Sequence, residues 1–193
     1  MKKTSLWIAP VLCLAAWSTP PASAALLEGL RFDDSTRLAG SELRLNGLGL
    51  RAVFIIKGYV AGLYLHGKAA SLQDAVAVAG PKRLQIRMLR DAGSEDFKRA
   101  LVSGIEKNAT ETELLGLRER IRQLEQTIDG IGVARLGDTI NLDYVPERGT
   151  TLAVNDAVKG TVIRGPDFYN ALLGIFLGDN PVDSRLKQGL LGQ

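Results

Sequence analysis

Arg51 is the side chain in this sequence best placed to do chemistry. It stands inside a long apolar, alternating stretch, directly after Gly49-Leu50, where a guanidinium must either reach solvent or be met by an anion. Two readings are open: an outward-facing or internally ion-paired sheet arginine, or a pocket arginine that receives a carboxylate or phenolate. Tyr59 and Tyr64 follow on the same stretch; their hydroxyls either line a cavity or belong to core and interface tyrosines. Lys57 carries a charge out of the same apolar segment, its stem covering sheet and its amine reaching water. Arg87 and Arg90 share the ambiguity of Arg51 more weakly, since Arg90-Asp91 is able to pair at a strand end.

Other site chemistries lack their residues. His66 is the only histidine and Cys13 the only cysteine, so no metal site and no cofactor is expected. A hydrolase triad would have to use His66, and no Gly-x-Ser-x-Gly elbow is present. Gly47-Leu48-Gly49 leads into more strand, whereas a nucleotide-binding glycine motif opens a helix.

The N-terminus has the form of a cleavable export signal. Lys2 and Lys3 precede an apolar run from Leu6 to Trp17, then a Thr19-Pro20-Pro21 turn and Ala22-Ser23-Ala24, which places the cut before Ala25. The run is too short and too broken by proline for a stable membrane span. The expected working form is therefore a single periplasmic or otherwise secreted domain, residues 25–193. Both lysines leave with the signal, so the 24 basic residues drop by two against 21 acidic ones, a net charge near +1. That argues against a nucleic-acid partner, which calls for a marked basic excess on one face. Cys13 leaves too, so the domain must hold in an oxidising compartment through its apolar core, without a disulfide.

Positioning these residues falls to a recognisable series of elements. Leu43, Leu45 and Leu48 alternate toward Arg51, and Ala52 to Gly67 reads as strand, with Gly58 and Gly62 marking bends or bulges. A short helix or turn over 70–76 follows. In Lys82 to Leu89, Leu84, Ile86 and Met88 face one way and Arg83, Gln85 and Arg87 the other, a half-buried strand. Ser94 is the expected N-cap of a helix carrying Phe97, Ala100, Leu101, Gly104 and Ile105 on its apolar face. A second helix starts near Thr110 or Thr112 and ends at Gly130. Strands return at Thr139–Val145 and in a hairpin around Asn155-Asp156-Ala157. Gly165–Leu177 reads as a helix, and Pro181–Leu191 as a last one capped by Asn180. Strands, two helices, strands and two helices in that order predict an α+β fold, one large antiparallel sheet with helices layered on one face.

At Gly47-Leu48-Gly49-Leu50-Arg51, and again at Lys57-Gly58-Tyr59-Val60-Ala61-Gly62-Leu63-Tyr64-Leu65, the sequence resembles the chalcone isomerase family, particularly its bacterial chalcone isomerase-like branch. Further blocks occur in order: Gly80-Pro81-Lys82-Arg83-Leu84, Leu89-Arg90-Asp91, Asp143-Tyr144-Val145-Pro146, Asp167 to Leu173 and Leu177 to Val182. The resemblance implies an open-faced β-sandwich with a ligand cleft between sheet and helices. In the family's isomerases an arginine steadies the substrate's negative charge, while a tyrosine and a threonine arrange a water near the ketone. Relatives that lack isomerisation look like fatty-acid binders.

Carried over position by position, the arginine falls on Arg51 and the threonine on Tyr59. The catalytic tyrosine falls on Phe97, a helix asparagine on Gly104, and a C-terminal threonine or serine on Ile175. Polar groups are thus lost at three of these five places. The leading expectation is a non-catalytic protein holding a small apolar anion, fatty-acid-like, in the cleft at Arg51, Tyr59, Tyr64, Phe97, Gly104 and Ile175. One alternative is an intramolecular lyase or isomerase acting on an unsaturated carbonyl compound, with Tyr59 or Tyr64 handling the proton. The other is a structural or protein-partner module of the cell envelope, for which the helix from Glu111 to Thr127 would expose an apolar strip.

Overall fold

The computed structural model describes residues 24–193. Of the export signal read over residues 1–24, only Ala24 falls among them; the rest lies outside the described residues. In chain order the elements are β1 (Ala24–Leu27), β2 (Leu30–Asp33), β3 (Ser35–Leu38), β4 (Ser41–Val53), β5 (Ile56–Leu65), α1 (Leu72–Ala77), β6 (Lys82–Met88), β7 (Ala92–Gly93) and α2 (Ser94–Asn108). They continue with α3 (Glu111–Asp129), β8 (Val133–Ala134), β9 (Thr139–Val145), β10 (Gly149–Val154), β11 (Ala157–Ile163), α4 (Pro166–Leu177) and α5 (Ser184–Leu190).

Seven strands make one antiparallel sheet in the order β11-β10-β9-β6-β5-β4-β3. Its strands alternate as their sequence does. On β6, Leu84, Ile86 and Met88 are buried while Arg83, Gln85 and Arg87 face the other way. The polar side is a cross-strand ladder: Arg83 grips Asp143 of β9 with two bonds of 2.6 and 2.7 Å, and Gln85 donates to Asn141 at 3.1 Å. The apolar side meets the helices. The sequence of α4 is apolar almost all round, and the helix is accordingly buried on most sides, between the sheet and α2. α3 starts with a full capping box, Thr110 and Glu113 satisfying each other's backbone N–H groups.

The opposite face has its own small apolar cluster, Phe32, Leu43, Val60 and Tyr64, closed by the β1–β2 hairpin. The Phe32 ring lies against Gly62, where a Cβ would come within 3.0 Å of it, so this glycine permits a close approach within a regular strand.

Several expectations are corrected. The strand read over 52–67 is two strands, joined by a two-residue turn at Phe54-Ile55. Val53-Phe54-Ile55-Ile56 has no turn residue, so its β propensity conceals the reversal. Of the two glycines expected to bend β5, Gly58 is the extra residue of a bulge opposite Arg51/Ala52, whereas Gly62 keeps register; a second bulge lies on β4 at Asn46, between Leu45 and Gly47. Gly93 caps α2, with Ser94 already helical, and Ala100 of that helix is exposed. Asp183, and not Asn180, caps the last helix, because the chain becomes helical only at Ser184.

Candidate functional site

The β4–β5 hairpin sets the position of Arg51. Arg51 and Tyr59 are register partners across it, and cross-strand partners share a face, here the one toward the helices. Arg51 is partly buried, its side chain 24% exposed. Its Nη1 donates to the Ala52 carbonyl oxygen at 2.9 Å and to Asp183 Oδ2 at 3.3 Å. The guanidinium thus already has an anion, supplied by the N-cap residue of α5. Asp183 Oδ1 meanwhile accepts from the N–H groups of Arg185 and Leu186 at 2.8 and 3.0 Å, so one carboxylate both caps α5 and meets Arg51.

Glycines bring Asp183 into reach. A Cβ on Gly49 would lie 2.5 Å from the Leu186 carbonyl oxygen, and one on Gly47 would overlap that of Gly189. α5 therefore rests backbone to backbone on β4, at a distance no side chain allows. The Gly47-Leu48-Gly49 segment, excluded from sequence as a nucleotide motif, is the seat of this helix. Val182 donates its N–H to the Ile175 carbonyl oxygen at 2.8 Å, tying the segment before α5 to α4.

The remaining positions divide. Tyr59 sits beside Arg51; burial pushes its phenol well above the ordinary tyrosine range, with Arg51 opposing and Asp183 reinforcing the shift. It is a protonated hydrogen-bond donor, and a poor base. Phe97, in the first turn of α2, is half-buried against the helix-side core. Gly104 and Ile175 touch: a Cβ at 104 would fall 2.6 Å from Ile175 Cγ2, so the isoleucine occupies the notch the glycine leaves. The expected cleft wall is at this point a closed helix–helix contact. Tyr64 is the exception. It lies on the opposite face, 1% exposed among Phe32, Leu43 and Val60, and its hydroxyl donates to the Asp33 carbonyl oxygen at 3.0 Å. Period-two alternation separates it from Tyr59, five residues away, and it takes no part in a site at Arg51.

Sequence reasoning missed Asp183. The signal was available, since an aspartate just before the apolar Leu186 to Leu191 run is an N-cap pattern. His66 lies against Gly80, and among the described residues no group of three acidic, histidine or cysteine side chains clusters as metal ligands do. Several open clefts lie away from Arg51. One of about 490 Å³ runs among α1, α2, α3 and α4 past Leu72, Val76, Ile105, Leu117, Asn170 and Ala171; another of about 510 Å³ lies between α2 and α3. Leu115 is the one exposed large apolar residue on α3, so that helix does not present an apolar strip. No described helix is long and apolar enough to cross a membrane.

A family model described as chalcone isomerase-like matches residues 24–192. The chain belongs to the chalcone isomerase-like family. No curated protein matches. Among solved structures, the crystal structure of a fatty-acid binding protein of Arabidopsis thaliana superposes with a TM-score of 0.68 at 15% identity, over 88% of this chain and 96% of that one. The α+β architecture, a large antiparallel sheet with helices on one face, is thus the fold of this family.

Proposed function

We propose that this chalcone isomerase-like domain is a non-catalytic periplasmic protein that holds a small apolar carboxylate, fatty-acid-like, with its head at Arg51 and Tyr59. The observation that carries the reading is the Arg51–Asp183 pair: a partly buried guanidinium on the helix side of the sheet already binds a carboxylate, with a protonated phenol next to it. A ligand carboxylate would take the place of Asp183, accept from Arg51 and Tyr59, and run its apolar tail past Phe97. The fatty-acid binding of the Arabidopsis protein supports this assignment, and the export signal supports the compartment.

Proton transfer is poorly served here. Tyr59 holds its proton, and the family's other polar positions are Phe97, Gly104 and Ile175, none of which can orient a water or donate to a ketone. The isomerase reading keeps one observation in its favour, a tyrosine beside the arginine.

Native mass spectrometry of protein purified from its own periplasm, followed by extraction, tests the proposal. The expected result is a stoichiometric apolar carboxylate that is lost in Arg51→Ala, together with a mass that begins at Ala25. A ligand-free protein that also fails to bind added dodecanoate would sink the reading.

A further inference from the structure

The β4–β5 hairpin ends in an exposed apolar apex. Phe54 is 99% and Ile55 94% exposed, and Val53 and Ile56 on either side are about half exposed. Two-residue hairpin turns favour glycine, asparagine or aspartate, because a central residue takes positive φ. Here Phe54 takes it, at φ 54°, the one bulky apolar side chain to do so among the described residues. A phenylalanine in that conformation is strained, and its ring touches almost nothing of its own protein. Neither the turn nor the core accounts for these two residues.

We propose that this apex docks the protein on a phospholipid bilayer, Phe54 and Ile55 entering the interface. Size favours lipid over a protein partner. Four side chains at a hairpin tip offer roughly 500 Å², well short of the roughly 800 Å² that each side of a stable protein interface buries. A bilayer accepts such a wedge singly. Depth agrees as well. Lys57 follows Ile56 directly and Arg51 precedes Val53 by two residues, so at the strand rise these cations lie about 7 and about 10 Å behind the apex, within the depth to which interfacial segments bury. Arg90 joins this collar, since the Leu89 N–H bonds the Gly58 carbonyl oxygen. Glu28 and Asp183, the carboxylates against Lys57 and Arg51, are already engaged by them.

The choice of lipid also rests on the proposed function: Arg51 and Tyr59 lie on the same two strands as the apex, so docking sets the head of the ligand site at the surface from which an apolar carboxylate comes.

Flotation with phosphatidylethanolamine–phosphatidylglycerol vesicles tests it, comparing the whole protein with Phe54→Asp/Ile55→Asp. Loss of two buried apolar side chains should lower partitioning by about a hundredfold. Phe54→Gly/Ile55→Asn, which supplies favoured turn residues, should lose vesicle binding while its thermal midpoint holds or rises. Phe54→Trp, read as a difference spectrum against the unsubstituted protein, should shift to the blue on adding vesicles. The proposal is overturned if the unsubstituted protein does not float, if both double variants float equally well, or if the apex variants instead abolish a concentration-dependent dimer. The unsubstituted protein keeps the two readings apart: if it floats with vesicles but binds no dodecanoate, docking stands without the carrier, and if it binds dodecanoate but does not float, the carrier stands without docking.

Discussion

Asp183→Asn separates the two jobs of one carboxylate. Asparagine keeps Oδ1 and caps helices about as well as aspartate, so the bonds from Arg185 and Leu186 should survive. Oδ2 becomes an amide nitrogen that cannot accept from Arg51. The lost contact is one bond of 3.3 Å between side chains 24% and 14% exposed. Solvent screens such a pair, and its worth is about 0.2–1 kcal/mol. Removing the negative charge from the helix N-terminus costs a further ~0.3 kcal/mol or more. Together these lower the melting temperature by about 2–4 °C. Binding should move the other way. With Asp183 neutral, an incoming carboxylate no longer competes for the guanidinium, and dodecanoate affinity rises by the worth of the pair, up to about fivefold. Calorimetric titration of the unsubstituted protein, Asp183→Asn and Arg51→Ala reads this directly. A fall in affinity in Asp183→Asn, parallel to that in Arg51→Ala, would refute the idea that Asp183 occupies the ligand's anion position.

Two further outcomes follow from packing and titration. Gly104→Ala drives a methyl into Ile175 and should cost about 1–2 kcal/mol, whereas the same change in an Ile175→Ala background should fill the new cavity and recover stability; thermal melts showing simple additivity would mean the two helices are not in contact there. Burial pushes the phenols of Tyr59, Tyr64 and Tyr169 above the ordinary value near 10, so the folded state keeps protons the unfolded state releases. Their contribution is complete below pH about 10 and is lost as pH rises beyond it, by up to about 1.4 kcal/mol per pH unit for each tyrosine. Melting temperatures taken upward from pH 9, beside a phenolate absorbance titration, should show unfolding and tyrosine ionisation arriving together, and Tyr64→Phe should shallow the slope.

Local chemistry was enough to read α2, α3, α4, β6 and β9 in the sequence, because each carries a periodic apolar stripe bounded by its own turn or cap residues. It was also enough to select Arg51, since an arginine in an apolar alternating run must either reach solvent or meet an anion. Register decided the rest. Tyr59 and Tyr64 are alike as letters, but their odd spacing on one strand sends one to the helices and the other beneath Phe32. Gly104 and Ile175, 71 positions apart, become a single contact only when α2 crosses α4. The turn at Phe54-Ile55 was hidden because every residue there favours strand, and only the return of β5 along β4 makes the apex visible. Arg51 shows the division most plainly: its own neighbourhood in the sequence left solvent, an internal ion pair and a ligand anion open, while the anion that meets it, 132 residues further along, is supplied by a helix that glycines allow to lie flat on the strand.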